Sequence, residues 1–155
     1  EHERFFLDDL AIDAAGAARV VAQQTDVEVA VEEFEEAPVV GDPSLVRQLM
    51  MILLDNAVKF TDRGGEVRVR VSMHQDAPTF IVEDTGIGIT SEDIPRVFQR
   101  FFRGETARSR ADGAGLGLSI ASWIAREHGA EISLKSDPGE GTTVTVTFPR
   151  VVAGV

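Results

Sequence analysis

A chain of 155 residues has room for one hydrophobic core, and its 43% hydrophobic content suits a globular protein. The longest apolar run, Leu49 to Leu54, is far shorter than the roughly 20 residues needed to cross a bilayer, and no cysteine is present to staple an extracellular fold. A net charge of -11 opposes nucleic acid, whose binders present positive surface to a polyanion.

In chain order, residues 4 to about 24 carry Phe6, Leu10, Ala14 and Ala17 near the helical period. Val27, Val29 and Val31 then alternate with charged residues, as in a strand with one dry face, and a short piece at Val39-Val40 is expected to pair beside it. Asp42-Pro43-Ser44 reads as a helix start: Asp42 can accept from orphan amides, and Pro43 sits where a missing N–H does no harm. That helix is expected to run to about Asp62. Gly64-Gly65 turns the chain into Val67, Val69 and Val71, which alternate with Arg68, Arg70 and Ser72; with the next strand, Thr79 to Asp84, an antiparallel hairpin is expected.

Thr90 with Asp93 three residues on resembles a capping box and predicts a short helix through Phe98. Residues 102–114 are charged and poor in apolar side chains, so a surface loop is expected. Leu118, Ile120, Ala121, Ile124 and Ala125 sit at helical spacing up to Gly129, a good residue to end a helix. Ile132 with Leu134, then Val144, Val146 and Phe148, supply two last strands. Alternating strands need helices on one face only, so the expected fold is a two-layer α/β (α+β) sandwich. It forms one domain over residues 1–150, with a fraying tail at 151–155.

Three polar features stand out on this frame. Asp84 ends a strand and enters Asp84-Thr85-Gly86-Ile87-Gly88; an ionised carboxylate there can only accept, which suits the exocyclic amino group of adenine and opposes the carbonyl of guanine. Taken alone, the same pattern also fits an ordinary turn. On the helix over 43–62, Gln48, Asp55, Asn56 and Lys59 share a stripe that faces either water or a ligand; Asn56 offers an amide oxygen for Mg²⁺ and Lys59 a point charge for phosphate. Gly113-Ala114-Gly115-Leu116-Gly117-Leu118 opens the next helix, where free N–H groups and the positive dipole end suit an anion. Its spacing differs from the phosphate loop and the dinucleotide fingerprint. Arg96, Arg100, Arg103, Arg108 and Arg110 form a basic run that is either a solvated loop or a local counterweight to the negative average. Phe98, Phe101 and Phe102 read as core, with a hinge role also open, and His2, His74 and His128 lack metal-ligand spacing.

In order, these segments resemble the catalytic and ATP-binding domain of bacterial sensor histidine kinases, within the wider group that includes gyrase, Hsp90 and MutL ATPases. Leu53 to Thr61 resembles the N box and Asp84 to Gly88 the first glycine box. Val97 to Arg103 resembles the F box, Gly113 to Leu118 the second glycine box, and Gly139 to Thr143 the last. The resemblance implies the Bergerat fold, a mixed sheet of about five strands backed by three helices, with an ATP lid over 97–116. It implies Asn56 on Mg²⁺, Lys59 and Arg103 on phosphates, and Asp84 on the adenine amino group. Gly86, Gly88, Ile89, Phe98, Gly113, Gly115, Leu116, Gly117, Leu118 and Thr143 complete the implied ATP site.

The implied reaction is phosphoryl transfer from ATP to a histidine on a separate phosphoacceptor domain, with ADP as product and relay to a response regulator. No histidine here lies in a phosphoacceptor context, so the chain reads as a fragment beginning after that helix. Its expected location is cytoplasmic, with no membrane contact of its own. Two departures from the family pattern matter: Ile52 stands one turn before Asn56, where a second Asn is common, and Ala114 replaces a frequent hydroxyl residue. Ile52 also stands where gyrase and Hsp90 relatives carry a water-activating acid, which disfavours an ATPase clamp. A nucleotide-binding module that has lost catalysis is the remaining alternative.

Overall fold

Among the described residues, 2–98 and 117–151 of this computed structural model, the elements in order are β1 (Glu3–Phe6), α1 (Leu7–Ala22), β2 (Glu28–Phe34), β3 (Pro38–Gly41) and α2 (Pro43–Lys59). After them come β4 (Glu66–His74), β5 (Ala77–Asp84), α3 (Gly117–Glu127), β6 (Glu131–Asp137) and β7 (Gly141–Thr147). Five strands form one mixed sheet in the order β2-β4-β5-β7-β6, with β2 and β4 parallel and the remaining pairs antiparallel. The three helices lie on one face, α2 between α1 and α3. This is the expected two-layer sandwich.

Strand periodicity places side chains in rows across the sheet. Residues directly opposite on paired strands share a face, so Val71, Phe80, Val146 and Ile132 make one row from β4 to β6. Val69, Val82, Val144 and Leu134 make the next. Phe80 and Val146 are fully buried, and each such side chain contributes about 1.5–3 kcal/mol through removal from water. A third row ends differently: Val67 is followed by Asp84, Thr142 and Ser136. The polar corner therefore continues an apolar surface without a break.

The start of α2 forms as the sequence predicts, with Asp42 Oδ1 accepting from Ser44 N at 2.9 Å and Leu45 N at 3.2 Å. Its buried face is Val46, Leu49, Met50, Leu53, Leu54, Ala57 and Val58. The hairpin of β4 and β5 also forms as expected.

Four local expectations are corrected. Residues 3–6 are a strand, and α1 starts at Leu7, because β1 pairs antiparallel with β3 while Leu7 N donates to the Ala37 carbonyl at 2.7 Å. Val39-Val40 thus pairs with β1 in a separate two-stranded ribbon, not beside β2. The helix over 90–98 contracts to a single tight turn at Ile94–Arg96: Thr90 Oγ1 does accept from Asp93 N at 3.3 Å, but Pro95 has no N–H to extend the ladder. The helix α2 ends at Lys59, short of Asp62.

Candidate functional site

At the end of β5 the carboxylate of Asp84 is held by the backbone on both sides. Its Oδ1 accepts from Gly86 N at 2.8 Å and from Thr142 N at 3.2 Å, so both internal bonds fall on one oxygen and Oδ2 is left for an external donor. Burial at the end of the apolar row pushes the carboxyl up to about 6; the Gly86 and Thr142 amides pull the other way, and Glu83 adds a small upward push. Both faces of the turn are close-packed. A Cβ at Gly86 would meet the Phe60 carbonyl and Asp84 Oδ1, and one at Gly141 would overlap the Asp84 carbonyl.

Gly141 also has φ +121, which L side chains rarely adopt. The variant Gly141→Ala is expected to lose at least about 2 kcal/mol of stability, because strain and overlap fall on the junction that aligns Thr142 with Asp84. Thermal unfolding would check this, a midpoint within a degree of wild type being the contrary result.

The last turn of α2 brings a second group of polar side chains to the same end of the sheet. Asn56 is half-buried and Lys59 exposed, and the loop after Asp84 is tied to this turn by a bond from Ile87 N to the Phe60 carbonyl at 3.0 Å. The first residue of α3 completes the grouping: a Cβ on Gly117 would lie 3.4 Å from Ile52 Cγ2 and 3.7 Å from Asn56 Nδ2. Burial pushes the Asp55 carboxyl upward, with Lys59 opposing the shift. A carboxylate oxygen fit for a base amine, an amide oxygen fit for a cation and a lysine fit for phosphate thus share one end of the fold.

Residues 41–152 match the family model described as histidine kinase-, DNA gyrase B-, and HSP90-like ATPase. The chain belongs to this family. Sensor histidine kinase YkoH of Bacillus subtilis is 42% identical over 160 residues, covering 99% of this chain and 35% of that protein. The sensor-like histidine kinase SenX3 of Mycobacterium tuberculosis (strain H37Rv) is 37% identical over 147 residues, covering 94% and 36%. The chain therefore spans about a third of the length of these curated relatives. Among solved structures, the mycobacterial sensor histidine kinase MprB superposes with a TM-score of 0.87 at 29% identity, covering 97% of this chain and all of that one. Full-length ShkA in complex with AMPPNP gives 0.85 at 26%, covering 100% of this chain and 32% of that one.

These relatives are sensor histidine kinases, so this member of the histidine kinase-like ATPase family is a catalytic, ATP-binding domain of that kind, with the Bergerat fold. Within it, Asn56, Lys59, Asp84, Gly86, Gly88, Gly117 and Leu118 sit on the three segments that converge. Ile89 is anchored beside them through its N–H to Ser136 Oγ at 2.7 Å, and Phe98 is half-buried just after the tight turn. Arg103, Gly113, Gly115 and Leu116, like most of the expected lid over 97–116, lie outside the described residues.

Thr143 is not brought into this grouping. It stands opposite Glu83 and Lys135, on the sheet face away from Asp84, because side chains alternate along β7. The threonine on the Asp84 face is Thr142, which stands directly opposite Asp84. Sequence reasoning missed Thr142 and Ser136; Gly139-Glu140-Gly141 marked the turn, but only the register of β5, β7 and β6 selects which hydroxyls face inward. Among the described residues no helix is long and apolar enough to cross a membrane.

Proposed function

We propose that this domain transfers the γ-phosphoryl group of Mg-ATP to a histidine on a separate phosphoacceptor domain, for later relay to a response regulator. The observation that carries the reading is the bond from Ile87 N to the Phe60 carbonyl, which joins the Asp84 corner to the turn bearing Asn56 and Lys59. An adenine amino group would donate to Asp84 Oδ2 while the triphosphate extends toward that turn. Catalysis by such a site is positioning and charge stabilisation: the bond from phosphorus to the β,γ-bridging oxygen breaks, a bond to the acceptor imidazole nitrogen forms, and ADP leaves.

The donor set fits a hard cation, since Asn56 brings an amide oxygen to the last turn of α2. Bound there, Mg²⁺ would neutralise phosphate charge. Lys59 adds a positive charge one turn along, and Arg103 takes the same role by resemblance. Ile52 faces Gly117 where a hydrolase would need an acid, which favours transfer over hydrolysis. The proposed setting is the cytoplasm, where ATP and a response regulator are both present.

The test mixes the purified chain with γ-labelled ATP, with and without the cognate acceptor domain. Acid-labile label on the acceptor histidine is the expected result. Bound ATP with no transfer in the complete mixture would leave only a nucleotide-binding module, and rapid phosphate release by the chain alone would point to hydrolysis.

A further inference from the structure

The hydroxyl of Ser136 has three neighbours at hydrogen-bond distance, and one arrangement of protons satisfies all three. Ile89 N–H, at 2.7 Å, can only donate. The Gly141 carbonyl, at 2.9 Å, can only accept, so it takes the single Ser136 proton. The Thr142 hydroxyl, at 2.7 Å, could play either part; with the Ser136 proton committed to Gly141, Thr142 must donate.

We propose that Ser136 is a specificity-determining positioning residue, which fixes the Thr142 hydroxyl as an acceptor toward the base so that Thr142 and Asp84 together admit an amino group and refuse a carbonyl. Ser136, Thr142 and Asp84 stand in one row on neighbouring strands β6, β7 and β5, all on the helix-covered face. The proton of Thr142 points along the row to Ser136, and its lone pairs remain for the ligand. A threonine free to rotate could donate to the carbonyl that guanine carries where adenine has its amine. With Ser136 in place that escape is closed, and guanine would meet acceptors from both side chains. The inference rests on the reading of this corner as the adenine end of an ATP site.

Titration calorimetry of the full chain with ATP and with GTP, in EDTA at about pH 8, tests it. In Ser136→Ala the ratio of ATP to GTP affinity is expected to fall about tenfold, while Ser136→Thr, which restores the hydroxyl, keeps the wild-type ratio. Thr142→Val should lower the ratio as well, and the double variant should fall no further than Thr142→Val alone, since both changes act through one hydroxyl. Equal weakening of ATP and GTP in Ser136→Ala would reduce Ser136 to a structural role and overturn the proposal, as would multiplying effects in the double variant. Should Ser136→Ala not fold, a wild-type ratio in Thr142→Val overturns it equally. A wild-type chain that binds no ATP would remove the nucleotide-site reading itself, a failure visible before any variant is made.

Discussion

Asp84→Asn is expected to weaken ATP binding by about 100-fold at pH 8 while making the nucleotide-free chain more stable. The amide keeps an oxygen to accept from Gly86 and Thr142 but presents an NH₂ where Oδ2 now stands, so donor would face donor at the adenine amine. The stability gain follows from the raised pKa. A carboxyl at about 6 when folded and 3.8 when unfolded binds more protons in the native state between those values. Stability from this group is therefore lost as pH rises from about 4 to 6, and above that the buried charge costs on the order of 2–3 kcal/mol. Thermal midpoints measured across pH should show wild type losing ground over this window relative to Asp84→Asn. The nucleotide runs the other way: ATP affinity of wild type should fall as pH drops below about 6, because a protonated Asp84 loses an acceptor. An Asp84→Asn chain that binds ATP as tightly as wild type would remove Asp84 from the base site.

Asn56→Ala should slow phosphoryl transfer to the acceptor domain by about 100-fold or more, while binding of metal-free ATP stays near the wild-type value. The expectation comes from place and chemistry together. Asn56 sits on the last turn of α2, half-buried, against the first residue of α3, and alanine offers no oxygen to a cation there. Parallel titrations in Mg²⁺ and in EDTA should converge for the variant and differ for wild type. Unchanged transfer would move the metal to another residue.

What could be read from the sequence was local. Asp42-Pro43 announced α2 through capping chemistry, the valines of β4 announced a half-buried strand, and Asp84 followed by glycines marked the polar turn after β5. Long-range pairing was hidden. Residues 3–6 extend the helical pattern of α1 and become a strand only because β3, more than thirty residues on, supplies backbone partners. Thr142 and Thr143 are identical in type and adjacent, so only strand register tells the inward from the outward one. Ser136 carries no sequence signal of its own and joins this row only because β6 pairs with β7. The capping chemistry at Thr90 is real, but Pro95 removes the N–H that a longer helix would need.

The bond between Ile87 and Phe60 makes the molecule a calliper. One jaw is the carboxylate and the other is the amide of Asn56, and they are joined through a main-chain link that, short of proline at 87, side-chain substitution leaves in place. A compound whose ring and anionic end are separated by the wrong number of bonds would grip one jaw at a time. With the base at Asp84 and the cation at Asn56 as proposed, the backbone would gauge ligand length and leave base identity to the side chains.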